Sequence, residues 1–479
     1  MPENVEKICA AILMQVTPKK QKREEIAALA KKLEKRVAQA CRESNLKAKV
    51  RLEGSVAKDT WLSEEPDIDI FMRVPKSILR SQLGKTCLRI ARKATKGSRQ
   101  VERFAEHPYL EAFLDGTRVN VVPCYDARKG EWQSATDRTP FHTDYINRRL
   151  TAELRGEVRL LKRFMKGIGV YGAEIKIGGF SGYLCELLVL HYGSLVSVLE
   201  AFAHHGSRLV IDIENHYKGR QNELNLLFKE PLVVVDPVDR ARNVASAVQR
   251  RKLDTLTAAS QAFLRDPSAS FFCPRKTVPW PLGQLKHELA ERCHGPALVL
   301  VIFGGVEAVP DVLWGQLYKS QRSLTKLLLT NDFSVFRNAV WSDEKDVSVF
   351  LFELEHCCIP SVKKHLGPPL EREHECEKFL VKHRGNSSTI AGPYVEDGRW
   401  IVQTRRKHTD ACALLRERLS DGGRNTGIAE RISLVLRRGF SVVVNEEICG
   451  TYAENTCFAE FLTDFLSGKP KWLESSKTR

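Results

Sequence analysis

Two aspartates one residue apart, Asp67 and Asp69, open the apolar run Asp67-Ile68-Asp69-Ile70-Phe71, twelve residues after the Gly54-Ser55 pair. Acid and aliphatic side chains alternate here, which predicts a strand over 67–74 whose residues i and i+2 share a face. Two carboxylates that close repel each other unless a cation lies between them. Gly54 lets backbone come close to a ligand. Ser55 adds a hydroxyl and an N–H ahead of a short helical turn expected over 56–62, and a helix start offers free N–H groups and partial positive charge to a phosphate. Mg²⁺ takes one or two carboxylates and completes its octahedron with phosphate oxygens. A phosphate cradle followed by a metal-binding D-x-D describes a nucleotidyl-transfer site working through two metal ions. The D-x-D alone would be no more than a solvated strand end; the Gly-Ser turn before it carries the meaning.

The surrounding pattern supplies a scaffold. Helices are expected over 5–16 and 23–40, the second with Ile26, Leu29, Leu33 and Val37 at helical spacing, and another over 77–94. Strands are expected at 47–52, 100–105, 109–113 and 117–122, with Asp115-Gly116 as the hairpin turn between the last two. The first 125 residues thus form a small sheet with helices on one side. Residues 151–270 read as mostly helical, and 271–283, with three prolines and a glycine, as a linker. The order strand 297–303, helix 313–330, strand 334–341, strand 346–354 resembles part of a ferredoxin-like or RNA-recognition-type layer. The final segment, KPKWLESSKTR, is expected to fray.

At 479 residues the chain has room for three or four domains. Its 75 Lys+Arg against 59 Asp+Glu leave a net charge of +16, which suits a polyanionic partner such as RNA. No apolar run approaches the roughly 18 residues of a membrane span, and the start MPENVEKICA lacks the pattern of a secretory signal, so no membrane partner is expected. Thirteen scattered cysteines without a CxxC point to reduced thiols and a cytoplasmic setting. Neither His356-Cys357-Cys358 nor His374-Glu375-Cys376 has zinc-finger spacing, so structural zinc is not expected.

The chain resembles the archaeal-type (class I) CCA-adding enzymes, the tRNA nucleotidyltransferases. Beyond the Gly-Ser/D-x-D segment, the likeness lies in Ala105-Glu106-His107-Pro108-Tyr109, Val121-Val122-Pro123-Cys124-Tyr125 and Asp137-Arg138-Thr139-Pro140-Phe141-His142. It continues through Glu157-Val158-Arg159-Leu160-Leu161-Lys162, Tyr171-Gly172-Ala173-Glu174, Gly179-Phe180-Ser181-Gly182-Tyr183-Leu184-Cys185-Glu186 and Asp236-Pro237-Val238-Asp239, leading to Arg242-Asn243-Val244-Ala245. It is dense over 50–250 and thinner afterwards.

The resemblance implies an α+β multidomain chain. A polymerase-beta-like nucleotidyltransferase head would span 1–146, a mostly helical neck 147–270, a ferredoxin/RRM-like body 271–355 and a mixed α/β tail binding tRNA 356–479. It implies template-independent addition and repair of the 3′-terminal CCA of tRNA with CTP and ATP, two Mg²⁺, contact with the acceptor stem and TΨC arm, and a homodimer. Ser55 and Lys58 fall where the family contacts triphosphate; Lys58 replaces the commoner Arg and loses its bidentate fork. Asp67 and Asp69 match the first two metal carboxylates. His142, Lys162 and Tyr171 match further nucleotide contacts, and Arg242 the arginine that presents hydrogen bonds to the incoming base. The departure is Asn120, which stands where the family has its third carboxylate and offers a neutral oxygen instead. Neither Asp115, at the hairpin turn, nor Asp126, past Pro123, obviously replaces it.

A further pattern supports an RNA partner. Arg155, Arg159, Lys162 and Lys166 form a basic stripe beside the apolar stripe Leu154, Val158, Leu161 and Met165 on one helix. That stripe is expected to meet triphosphate and acceptor stem. Two alternatives stand beside the main reading. One is another terminal nucleotidyltransferase such as a poly(A) polymerase, which would use ATP alone. The other is a weakly active or non-catalytic tRNA-binding paralogue, motivated by Asn120.

Overall fold

The computed structural model describes residues 3–104, 107–292 and 296–474. Ala105 and Glu106 of the Ala-Glu-His-Pro-Tyr motif therefore lie outside the described residues, as do 475–479 of the tail. The chain divides into two units, 1–276 together with 469–479, and 277–468.

The first unit opens with α1 (Glu3–Val16) and α2 (Lys20–Glu43), followed by β1 (Lys49–Glu53), α3 (Gly54–Ala57), β2 (Asp67–Val74) and α4 (Arg80–Ala94). Strands β3 (Arg99–Phe104), β4 (Pro108–Leu114) and β5 (Thr117–Tyr125) complete a five-stranded sheet of order β1-β2-β5-β4-β3. Only β2 and β5 run parallel. Asp115 and Gly116 turn the β4–β5 hairpin at φ 48° and 75°, the left-handed conformations such a turn requires. Ile68, Ile70, Met72, Val119 and Val121 of one sheet face are buried with Ile26, Leu33 and Val37 of α2 and Leu83, Cys87 and Ile90 of α4. The helices thus cover one face and leave the other to Asp67 and Asp69.

Next come α5 (Thr139–Arg149), α6 (Ala152–Gly167), α7 (Gly182–Tyr192) and α8 (Leu195–Ala203). Then follow β6 (Leu209–Ile211), α9 (Gln221–Leu227), β7 (Leu232–Asp236), β8 (Asp239–Asn243) and α10 (Arg250–Arg265). The three strands form their own sheet, β6-β7-β8, so this region is less helical than its sequence predicts. Three further expectations change here. Val5, Ile12 and Val16 of α1 are buried with Val158, Leu161 and Met165 of α6, so α1 belongs to the neck core and not the head core. Phe271 and Phe272, at the start of the expected linker, belong to that same core. Trp472, in the tail expected to fray, packs on Phe271 with ring centroids 5.2 Å apart. No single helix among the described residues is long and apolar enough to cross a membrane, and the one bent pair that passes by composition, α7 with α8, is buried in this core.

The second unit contains α11 (Leu282–Glu291), β9 (Ala297–Gly304), α12 (Pro310–Thr330), β10 (Val335–Ser342) and β11 (Val347–Leu354). An excursion follows, made of β12 (Val362–Pro369), α13 (Glu373–His383), β13 (Thr389–Glu396) and β14 (Arg399–Arg405), with its own sheet β12-β14-β13. The chain returns through α14 (Ala411–Leu419), α15 (Glu430–Leu436) and β15 (Phe440–Val444), and closes with α16 (Cys449–Glu454) and α17 (Thr456–Ser467). The main sheet has order β10-β11-β9-β15, all antiparallel, the ferredoxin-like arrangement. Its fourth strand comes from 440–444, far beyond residue 355, where the sequence placed the end of the body. The body and tail therefore share one core: Val442 of β15 and Leu414 of α14 are buried with Val299 and Val301 of β9. Helices cover both faces of this sheet, which explains why β9 is an unbroken apolar run.

Candidate active site

The open face of the first sheet is polar by construction. Strand register sets Glu53, Asp69, Asn120 and Glu111 in one row across β1, β2, β5 and β4, and sets Asp67 beside Arg118 in the next row. Directly paired residues share a face, so Asp67 and Asp69 point to the same side, as the i, i+2 spacing predicts. Gly54 closes against this pair. A Cβ there would lie 2.0 Å from Asp69 Oδ2, and the residue has φ +74°. Glycine is thus required twice, once by conformation and once by the aspartate it touches. Ser55 follows in the first turn of α3, half-buried. That turn is only four residues long and starts two residues earlier than the sequence suggests.

Asn120 stands directly beside Asp69 in this row. Its Nδ2 donates to Asp69 Oδ1 at 2.9 Å, while its Oδ1 is buried with no hydrogen-bond partner among the described residues. Burial raises the Asp69 pKa to about 6; the Asn120 hydrogen bond opposes that rise and the neighbouring Asp67 charge adds to it. Two carboxylates and an orphaned amide oxygen on one face form an all-oxygen donor set, which fits a hard divalent cation. Arg118 was not anticipated. It grips Asp67 with both ends of its fork, Nε lying 2.7 Å from Oδ1 and Nη2 on Oδ2. Its Nη1 lies 3.9 Å from Glu111 Oε2, whose other oxygen accepts from Arg103 at 2.9 Å. The signal lay in the β4–β5 hairpin: Arg118 stands two residues before Asn120 on one strand, just as Asp67 stands before Asp69.

The other sequence-picked residues gather around α7. Lys58 Nζ donates to Glu186 Oε2 at 2.5 Å, and Lys162 Nζ donates to Thr60 O and Oγ1 at 3.0 Å and lies 3.4 Å from Glu186 Oε1. Thr60 Oγ1 also donates to Glu186 Oε1, at 2.6 Å. All four residues are buried. The structure therefore turns both ammonium groups onto one carboxylate, where the resemblance implied direct triphosphate contacts. Burial lowers the Lys162 pKa, Glu186 works against that lowering, and the Lys58 charge adds to it.

One turn before Glu186, Tyr183 links this cluster to a second one. Lys58 Nζ lies 5.6 Å over the Tyr183 ring, and His142 stacks on the same ring with centroids 4.1 Å apart. His142 Nε2 and Arg242 Nη1 both donate to Asp236 Oδ2, at 2.9 and 2.7 Å, and Tyr183 Oη donates to Oδ1 at 3.3 Å. Burial would raise the Asp236 pKa, but the His142 hydrogen bond and the His142 and Arg242 charges bring it down to about 2. Burial lowers the His142 pKa, and the Asp236 hydrogen bond and charge work against that lowering. Tyr171 sits beside the first cluster, its hydroxyl 3.0 Å from where a Cβ on Gly182 would stand. Glu186, Tyr183 and Asp236 were missed as site residues. The readable signal was Glu186, a lone acid in the apolar helix GYLCELLVLHY, which can be buried only against a cation.

The basic stripe of α6 also has a different task from the expected one. Arg155 Nε donates to Lys58 O at 3.0 Å and Arg159 Nε to Trp61 O at 3.1 Å; Arg159 Nη2 reaches Asp59 Oδ1 at 2.6 Å. Arg163 pairs with Glu64 at 2.6 Å, and Lys166 pairs with Glu65. The stripe clamps the segment 58–65 between the glycine-serine turn and β2, and so ties α6 to that segment.

Paired aspartates on a strand, closed by a glycine-serine turn and carried on a helix-backed mixed sheet, define a nucleotidyltransferase. Residues 34–142 match the family model described as a nucleotidyltransferase domain, 156–273 the second domain of tRNA nucleotidyltransferase, and 294–445 the C-terminal domain of CCA-adding enzyme. The chain is 36% identical over 447 residues to the CCA-adding enzyme of Methanosarcina barkeri, covering 93% of this chain and 95% of that protein. It is 38% identical over 429 residues to that of Methanothermobacter thermautotrophicus, covering 89% and 90%. It is 35% identical over 424 residues to that of Halobacterium salinarum, covering 88% and 91%. The chain belongs to the archaeal-type CCA-adding enzymes.

Proposed function

We infer that this enzyme adds and repairs the 3′-terminal CCA of tRNA without a template, using CTP and ATP and releasing pyrophosphate. The observation that carries the reading is the placement of Asp67 and Asp69 on one open sheet face, with Gly54 closed against Asp69. Asp67, Asp69 and the free oxygen of Asn120 would hold two Mg²⁺. Such ions, when bound, supply Lewis-acid activation of the primer 3′-hydroxyl and neutralise charge on the triphosphate. The chain's own residues do the positioning, which is most of the catalysis in phosphoryl transfer. Ser55 would meet the triphosphate at the turn. Lys58 and Lys162 add positive potential and, through Glu186, hold the loop that carries the turn. Tyr171 and His142 would border the sugar and base. Asp236 takes one nitrogen of Arg242 and so orients the rest of its fork toward an incoming base. The acceptor stem and TΨC arm are the parts of tRNA this reading assigns to the chain. Family resemblance is the ground for a homodimer, and the scattered cysteines without a CxxC are the ground for work in the cytoplasm.

The test is incorporation on tRNA ending at the discriminator base, or carrying C or CC. CTP incorporation followed by a single A supports the reading, and Asp69→Asn should abolish it while leaving tRNA binding. Use of ATP alone would favour a poly(A) polymerase. Tight tRNA binding without incorporation under Mg²⁺ or Mn²⁺ would favour a non-catalytic paralogue, which the retention of both aspartates argues against.

A further inference from the structure

By sequence, His356-Cys357-Cys358 lacks zinc-finger spacing, and adjacent ligands rarely suit one tetrahedral ion. The fold supplies partners from fifty residues away. Cys357 and Cys358 lie just after β11, where the excursion β12-α13-β13-β14 leaves the main sheet, and Asp410 and Cys412 lie where it rejoins at the start of α14. The two segments are laced together by backbone: Ala411 N donates to Cys357 O and Ile359 N to Thr409 O, both at 2.9 Å, and Cys358 bridges Asp410. The side chains are thereby fixed relative to one another. Cys357 Sγ lies 3.6 Å from Cys412 Sγ, and one donor atom each of Cys357, Asp410 and Cys412 falls within 4.8 Å of the others. Asp410 Oδ1 caps α14 by accepting from Ala413 N at 2.8 Å, which leaves Oδ2, 3.8 Å from Cys358 Sγ.

These separations fit a tetrahedral ion. Zn–S bonds of about 2.3 Å at tetrahedral angles place two sulfurs about 3.8 Å apart. A disulfide would need about 2.05 Å. Two thiolates and a carboxylate are a soft-to-borderline set that suits zinc and not magnesium. We propose that Cys357, Asp410 and Cys412 form a zinc site, with exposed Cys358 or a water as fourth ligand. Binding converts both buried-side thiols to thiolates and releases their protons to solvent. The ion would clip the two ends of the excursion and close a loop of about fifty residues, whose closure costs entropy in the absence of a staple. The site is separate from the Asp67–Asp69 centre, whose oxygens select a harder ion.

The test uses the full chain, stripped of metal under reducing conditions and titrated with Co²⁺. The expected result is a thiolate-to-cobalt charge-transfer band and the visible bands of four-coordinate cobalt, saturating at one ion per chain and displaced by Zn²⁺. Magnesium-site cobalt gives no thiolate band, so the two sites are distinguishable. Cys357→Ser and Cys412→Ser should each abolish the band, whereas Cys376→Ser, whose thiol lies inside the excursion against Pro369 O, should keep it. Zinc should also protect the junctions 357–362 and 405–412 of the native chain from protease. No charge-transfer band with the native chain, or a band that survives Cys357→Ser together with Cys412→Ser, overturns the proposal. So does a spontaneous Cys357–Cys412 disulfide, seen by mass, as the only chemistry of the pair.

Discussion

Asn120→Asp is the most telling single change. It restores the third acid of the family but removes the donor that Asn120 gives Asp69 at 2.9 Å, and puts a second carboxylate at the same separation. Two unit charges that far apart repel by about 6 kcal/mol at an effective dielectric of about 20. A proton would relieve this before it is fully felt. Holding a carboxylate of ordinary pKa about 3.9 protonated at pH 7 costs about 4 kcal/mol, at about 1.4 kcal/mol per unit, and that is the ceiling on the destabilisation. The added acid has a raised folded pKa, so the variant should match the native chain only at about pH 4 and below, near the unfolded pKa, and fall further behind as pH rises. Mg²⁺ should return the loss. Urea unfolding at pH 4 and 8, with and without Mg²⁺, measures both effects. Equal stability at pH 8 without metal, together with an equal Mg²⁺ response in both proteins, would show that residues 69 and 120 do not face each other. Turnover at saturating Mg²⁺ should change less than a hundredfold. A larger rise, more than about 2.7 kcal/mol in barrier, would mean that the native site is crippled.

Gly54→Ala should lose about 1–2 kcal/mol to its left-handed backbone and, by displacing Asp69, cost on the order of 100-fold in kcat; single-turnover CTP incorporation beside thermal melting separates the two. Glu186→Gln leaves two buried ammonium groups facing a neutral amide and should cost about 3–5 kcal/mol, read from urea unfolding of the first unit. At limiting Mg²⁺, activity should fall as pH drops through about 6, where Asp69 takes up its proton, and the midpoint should move down as Mg²⁺ is raised. The stability contribution of Asp69 runs the other way: its folded pKa is raised above 3.8, so the contribution is present below that value and lost as pH rises through about 6. Arg118→Gln frees Asp67 and should lower the Mg²⁺ concentration for half-maximal rate several-fold; an unchanged or higher requirement would show that the Arg118 fork does not compete with the cation.

What could be read in advance was local. The alternation in 67–74 specifies which side of β2 is wet, because a period of two needs no knowledge of the partner strand. Asp115-Gly116 specifies a hairpin for a similar reason, since few residues accept its dihedrals. Sequence pattern placed a helix over α1 and an apolar stripe on α6, yet a pattern of this kind says nothing about which core a helix joins, and α1 went to the neck. The basic stripe of α6 looked the same on paper whether it faces RNA or backbone carbonyls; Lys58 O, Thr60 O and Trp61 O decided it. The grip of Arg118 on Asp67 spans 51 residues, and Lys58 and Lys162 converge on Glu186 across 128 and 24 residues. No short-range pattern encodes them. The late strand β15 was hidden for the same reason, the excursion separating it from the three strands it completes.

Trp472 covers Phe271 in the first-unit core, and Ser270 Oγ donates to its carbonyl at 3.0 Å across 202 positions. A ribosome delivers chain in one direction, so when residue 276 emerges that aromatic face still lacks its lid. The whole of 277–468 must be made before the cover arrives. The nascent catalytic unit is thus left with an uncovered apolar patch for the time needed to synthesise nearly two hundred residues, about 10–40 seconds at about 5–20 residues per second. Stalled or prematurely released chains would carry the aspartate pair and the glycine-serine turn intact, yet present that patch to chaperones and proteases.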